Sequence, residues 1–549
     1  MVRKYILILL SLLLLSTYLY VVPNKTNELI IANIITMDPD MPEAEAMLIR
    51  GEKIVAIGTE ADVMHFIDES TSIKRFTDQT VLPGFVAAHE HPTISAVFLG
   101  LVDLSALTHN TPEQAMRALT DAIADAEPGE WIYGIGLDPI LMPEMILDRQ
   151  QLDQLAPNNP VFLVSQFLHS FWVNSAALSE VGIDESNLPE EHAHFYERDD
   201  NGRLTGYLIE AAADDFTEAL LSPLAMLEKL QQQFKIYRAD GITTVASLGY
   251  NAPLWLLKWA GRESGQAIVR QVIYLSQTEL DSLPDSPANG NHEFRVAGLK
   301  LWYDGSPYSG TMFLREPYES SELTRTIGLA QGHTGEALVT PEQFKAVFKQ
   351  FNDNGWQVAI HSQGDIASEQ VLSLMTEVGV NPAQRHRLEH GLLFPSAANE
   401  LAVANNISIS YHINHILYYG DALRSSFLGE RSEQLLPLRS SIEQGMRVSL
   451  HADTPMFPAN PFSLMQTAMN RQTTEGQTIQ ANQAISPIQA LKSVTIDAAW
   501  QLHLDDKVGS LEVDKLADYI VVDKNPLTTE THRWDQINVL VTCVSGICR

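Results

Sequence analysis

The chain contains almost no cysteine: in 549 residues only Cys543 and Cys548 occur, both at the extreme C-terminus. A disulfide framework therefore cannot hold the molecule together, and the sequence leaves open whether these two pair. Positive charge is also scarce. The 36 Lys and Arg face 68 Asp and Glu, for a formal net charge of -32. Nucleic acid and anionic membrane surfaces would repel such a chain, which excludes them as partners. No internal repeat or low-complexity tract is evident, which argues against a repeat array. Long hydrophobic runs are missing except at the start, where Arg3 and Lys4 precede an apolar run from Tyr5 to Val22. That pattern is an export signal. It lacks a clear small-x-small cleavage site and sits near the lower length limit for spanning a bilayer. Residues 1–26 are therefore expected to be a signal peptide or an uncleaved membrane anchor, with the rest periplasmic or extracellular and any membrane association confined to this segment.

The length and the 45% hydrophobic fraction support a large core plus a satellite. Short β-type runs separated by Asp, Pro and Gly turns occur at Glu28–Met37, Ala46–Arg50 and Lys53–Ile57, and runs of the same character return at Leu516–Asp523 and Val539–Val544. The two ends, residues 27–80 and 501–549, are expected to join in a small β-sandwich. Between them, apolar β-branched runs begin at Phe85, Ile242, Val269, Arg295, Trp356, Arg385, Ile407 and Met446. Most are separated by amphipathic stretches such as Pro341–Phe351, so residues 81–500 read as an α/β fold, a (β/α)8 TIM-like barrel. The interval of about 105–235 adds strands at Trp131–Leu137 and Val161–Ser165 and reads as a large insertion over the barrel mouth.

The polar residues gather where such a barrel builds its sites, at the C-terminal ends of its strands. In VLPGFVAAHEHP, with a turn expected at Leu82-Pro83-Gly84, the alternation of a strand points His89 and His91 the same way. Lys300 lies on the fourth run, His361 ends the fifth in AIHSQGD, His390 the sixth in RHRLEH, and Asp453 the eighth in SLHADTP. Each has an ordinary explanation on its own, such as a capped or solvated histidine. Together they suit zinc or a similar divalent ion, because neutral imidazole and carboxylate are its ligands. Such an ion acidifies water, which points to a hydrolase with Asp453 as general base and also a candidate ligand. An ammonium beside a cation is repelled, but Lys300 as a carbamate is anionic and could bridge two metals. Asp365 could orient an imidazole from behind, and His412 and His415 could touch substrate. Trp302, Tyr303, Tyr308 and Phe313 suggest an aromatic wall.

VLPGF-x3-H-x-H, HSQGD, RHRLEH, HADTP and the tail SPIQALKSVTIDAAW with VGSLEVDKLADYIVVD resemble the amidohydrolase superfamily, in particular the amidohydrolase 3 family that includes N-substituted formamide deformylases. The resemblance runs from about Glu28 to the end. It implies a metal-dependent barrel hydrolase of C–N bonds in a small amide, N-formyl or cyclic amide substrate. Its metal positions fall on His89, His91, His361, His390 and Asp453, with Lys300 at the bridge and one or two ions bound. Glu210, in GYLIEAA, stands where related sequences often carry an acid and competes with Lys300 as the bridge. His169 remains from a family pattern whose neighbours differ here, so it is expected near substrate. Glu90 replaces a small apolar residue between the paired histidines and is expected to face away and form an ion pair. Lactone and phosphoester hydrolysis remain alternatives on the same site, and a non-catalytic scaffold a third. Homo-oligomerisation is left open.

Overall fold

The computed structural model describes residues 26–145, 147–168, 170–190, 193–217, 223–287 and 290–549. The apolar N-terminal run lies outside them; among the described residues no helix is long and apolar enough to cross a membrane.

Eight parallel strands form the central sheet: β1 Phe85–Glu90, β2 Ile242–Tyr250, β3 Arg270–Leu275, β4 Phe294–Trp302, β5 Gln357–Ser362, β6 Arg387–His390, β7 Ser408–Tyr411 and β8 Val448–Leu450. They stand side by side in chain order. The sheet curls until Glu90 at the end of β1 accepts the backbone N–H of Ala452 just past β8, at 3.3 Å. All eight are strands that the sequence pattern predicts. Their near-continuous burial explains why they read as apolar runs, since a parallel strand in a barrel is covered on both faces.

A seven-stranded sheet takes strands from both ends of the chain. Ser72–Pro83 joins the two parts, pairing with Asn27–Ile35 on one side and antiparallel with Tyr519–Val522 on the other. The turn expected at Leu82-Pro83-Gly84 does not form. Leu82 and Pro83 end a strand opposite Ile520 and Tyr519, and Gly84 alone separates that strand from β1. Glycine is required there because a Cβ would lie 2.3 Å from the Thr243 side chain. Cys543 and Cys548 face each other across the last hairpin and form a disulfide. A third, six-stranded sheet is built wholly from Val102–Asp103, Ile132–Leu137, Val161–Ser165, Ser170–Val173, Tyr196–Arg198 and Leu204–Ile209. It is tied to the barrel by Tyr419, which donates to the Asp138 carboxylate at 2.5 Å, and by Gln166, which donates to the Met456 carbonyl at 2.5 Å.

The terminal sheet is locked to the barrel floor by a buried ion pair. At the start of β3, Arg270 grips Asp518 through two hydrogen bonds of 2.7 and 2.8 Å, and both side chains are 1% exposed. Asp518 also accepts the Ser545 N–H at 2.7 Å. Removing one partner strands a buried charge, so Asp518→Ala is expected to cost about 3–5 kcal/mol. Arg50→Ala, which breaks an exposed pair with Asp68, is expected to cost under about 1 kcal/mol. Denaturant unfolding of the two variants checks this; equal midpoints would show that the Arg270 pair is not a structural lock.

Candidate metal centre

The histidines and Asp453 meet at the C-terminal mouth of the barrel. His89, in β1, is fully buried, and its Nδ1 donates to the Glu389 carboxylate at 2.6 Å. That bond fixes the tautomer and leaves Nε2 bare, 3.3 Å from Asp453 Oδ1. The next residue but one, His91, brings its Nε2 to 2.8 Å from the same oxygen. Neither approach is aligned as a hydrogen bond, and His89 Nε2 and Asp453 Oδ1 have no hydrogen-bonding partner. His390 Nδ1 lies 3.7 Å from Asp453 Oδ2, and the His361 ring lies 4.3 Å from the His390 ring. His361 Nε2 also lies 3.4 Å from the Gly305 carbonyl. One donor atom each from His89, His390, His451 and Asp453 falls within 4.8 Å of every other, an arrangement that could hold a metal ion.

Charge follows from burial. Burial pulls the His361, His390 and His451 rings well below their ordinary pKa, and pulls His412 down to about 4. These rings are neutral at pH 7; His451 spans Ser410 Oγ at 2.8 Å and His390 Nδ1 at 3.2 Å, whereas His412 keeps one nitrogen unpartnered. Burial opposes ionisation of Asp453, yet the adjoining His89 and His91 hold it well below the usual carboxylate range. Lys300, in β4, is buried with no partner for its Nζ, and burial lowers it to about 8. A buried ammonium without an acceptor is costly, a cost that conversion to a carbamate would remove. The donor set and its orphaned atoms thus fit a divalent cation, and the neutral imidazoles suit zinc.

His412, just beyond β7, donates from Nε2 to the Ala452 carbonyl at 2.9 Å and leaves Nδ1 bare, 3.9 Å from Asp453 Oδ2. His415 meets the Tyr308 hydroxyl at 2.6 Å through Nδ1. His169 lies outside the described residues. Glu210 opens a short 3-10 turn, Glu210–Ala213, but its side chain is outside the description too.

Two expectations are corrected. Asp365 does not orient an imidazole: at the start of a helix, it accepts the Arg315 N–H at 3.0 Å and faces that guanidinium. The carboxylate beside His361 is Asp304, 4.0 Å away, which also accepts the N–H groups of Phe313, Gln363 and Gly364. Glu90 forms no ion pair among the described residues. It accepts the N–H groups of Ala452 and Thr454, the latter at 2.7 Å, and so clamps the loop that presents Asp453; burial pushes it up to about 8.

Sequence reasoning missed His451 and Glu389. His451 stands two residues before Asp453, the spacing that singled out His89 and His91. Glu389 is paired with Arg387 at 2.5 Å on the same face of β6, a buried i,i+2 charge pair readable from RHRLEH. Although burial opposes it, the Arg387 and His89 contacts hold Glu389 down to about 2.

A family model described as "Amidohydrolase family" matches residues 77–548. The N-substituted formamide deformylase of Arthrobacter pascens is 27% identical over 538 residues, covering 94% of this chain and 97% of that protein. Protein LONG AFTER FAR-RED 3 of Arabidopsis thaliana is 26% identical over 550 residues, 94% of this chain and 91% of it. Among solved structures, an uncharacterized metal-dependent hydrolase from Pyrococcus horikoshii shares the fold with a TM-score of 0.74 at 21% identity, over 92% of this chain and 99% of that one.

Groups that orient a metal-ligating histidine from behind are worth about 10–100-fold in metal affinity. Glu389→Gln is therefore expected to weaken metal retention by about that factor in competition with a chelator. Retention equal to the parent protein would remove Glu389 from the metal site.

Proposed function

The chain belongs to the amidohydrolase family, and from this premise we propose that it is a metal-dependent hydrolase that cleaves the C–N bond of a small amide, with N-formyl amines as its substrate class. The convergence of bare imidazole nitrogens and Asp453 at the barrel mouth carries this reading. The match to a formamide deformylase over nearly the whole of both chains supports the formyl group. The residues that would hold one or two ions, zinc by their chemistry, are His89, His91 and Asp453 on one side and His361 and His390 on the other. Lys300, as a carbamate, would join them, and His451 stands within reach of the group. Such an ion, when bound, supplies Lewis-acid polarisation of the scissile carbonyl and acidifies water.

The protein's own part is to place and move a proton. Asp453, ionised at neutral pH, accepts the proton of the attacking water and returns it to the departing nitrogen, since an amine leaves readily only once protonated. Glu90 keeps that carboxylate in place through the Ala452 and Thr454 N–H groups. His412 offers a bare Nδ1 beside Asp453, an acceptor suited to a substrate N–H rather than to its carbonyl. The apolar run from Tyr5 to Val22, read as an export signal, and the Cys543–Cys548 pair support a location outside the cytoplasm, where disulfides persist.

Asp453→Asn is expected to lose about two to four decades of kcat on an N-formyl amine, the scale of general-base removal. Near-normal kcat would place the base elsewhere. A panel of N-formyl amines, hydantoins, lactones and phosphotriesters tests the substrate class: turnover confined to the lactones or phosphotriesters would overturn the C–N assignment.

A further inference from the structure

A cavity of about 430 Å³ lies between the inserted sheet and the loops that follow β4. This size is within the range of small-molecule sites, about 300–1,000 Å³. Its apolar walls are Phe167, Trp172, Tyr207 and Ile209 from the inserted sheet, with Tyr308 and Ile327 from the loops. Tyr308 connects it to the centre. Its hydroxyl meets His415 Nδ1 at 2.6 Å, the His415 and His412 rings lie 4.2 Å apart, and His412 faces Asp453.

The polar lining groups point to the sign of charge that the cavity accepts. Ser170 and the Tyr207 hydroxyl bond each other at 2.8 Å, and Thr205 donates to Glu197 at 2.6 Å. Asp148 caps a helix through the Gln151 N–H. None of the described lining residues is Lys, Arg or His, whereas Asp148 and Glu197 are carboxylates at the exposed rim. An anionic substituent would enter against two like charges, with no cation among the described lining residues to receive it.

We infer that this cavity receives the nitrogen substituent of the substrate, and that it selects an uncharged aromatic or aliphatic group over one bearing a carboxylate. The inference rests on the reading of the centre as an N-formyl amine hydrolase.

N-phenethylformamide and N-formylphenylalanine differ only by a carboxylate, and N-methylformamide has no group to fill the cavity. The whole enzyme is expected to prefer N-phenethylformamide to either by at least about tenfold in kcat/KM. Ile327→Ala is expected to lower kcat/KM about tenfold for N-phenethylformamide and by less than about twofold for N-methylformamide. Thr326→Lys, a cation at the exposed rim, is expected to raise turnover of N-formylphenylalanine. Equal use of N-phenethylformamide and N-formylphenylalanine, or Ile327→Ala lowering both formamides alike, would overturn the inference while leaving the hydrolase reading intact. If no formamide is turned over, the N-formyl reading fails, and the cavity is tested by binding alone. Unreactive N-phenethylacetamide is expected to quench Trp172 fluorescence saturably, with no such change in Trp172→Phe; identical titrations of the two would refute the site.

Discussion

Neutral imidazoles packed at the mouth of a barrel, some with a nitrogen that meets no partner, are the constraint on which the rest of this structure depends. A buried polar atom without a partner costs about 1–3 kcal/mol, and His89, His412, Lys300 and Asp453 each carry such an atom. His390 and Asp453 add backbone strain, with φ of 75° and 56° in the left-handed region that non-glycine residues avoid. Costs of this kind persist where a function uses them. A cation would take up the orphaned His89 and Asp453 atoms together, and both left-handed residues belong to that same cluster.

The surroundings hold that arrangement from behind. Arg387 keeps Glu389 ionised, Glu389 sets the tautomer of His89, and Glu90 uses its two oxygens to pin the Asp453 loop. Both carboxylates are buried, yet they work by different means: one beside a guanidinium, the other against backbone N–H groups. Above the centre, the inserted sheet is fastened through Asp138 and Tyr419, and the Tyr419 ring packs 4.3 Å from Tyr308. The element that carries most of the apolar cavity wall is thus anchored to the same loop that reaches His415.

Much of this was legible in the sequence because burial and period leave marks there. A strand covered on both faces reads as an apolar run, and the barrel rule converts the residue after that run into a site position. His89, His91, His361, His390 and Asp453 stand out in this way, and the fold brings them together at one end of the barrel. What failed to show were features set by local backbone or by distant partners. Alternation puts Glu389 and Arg387 on one face, but the φ of His390 breaks the alternation that would have separated its role from theirs. Asp365 and Asp304 are both aspartates near His361, and only the fold shows that Arg315 turns the first away. Pro83 suggested a turn, yet proline is tolerated at a strand end that gives up its N–H, and there it lies opposite Tyr519.

The most direct test of a metal held by these side chains is elemental analysis of the purified full-length protein, paired with its activity on an N-formyl amine before and after chelation. The expected result is at least one equivalent of zinc or another divalent ion, activity lost on chelation and regained on adding the ion back, and metal absent from His89→Ala. A protein with no bound metal whose turnover a chelator leaves unchanged would contradict the account.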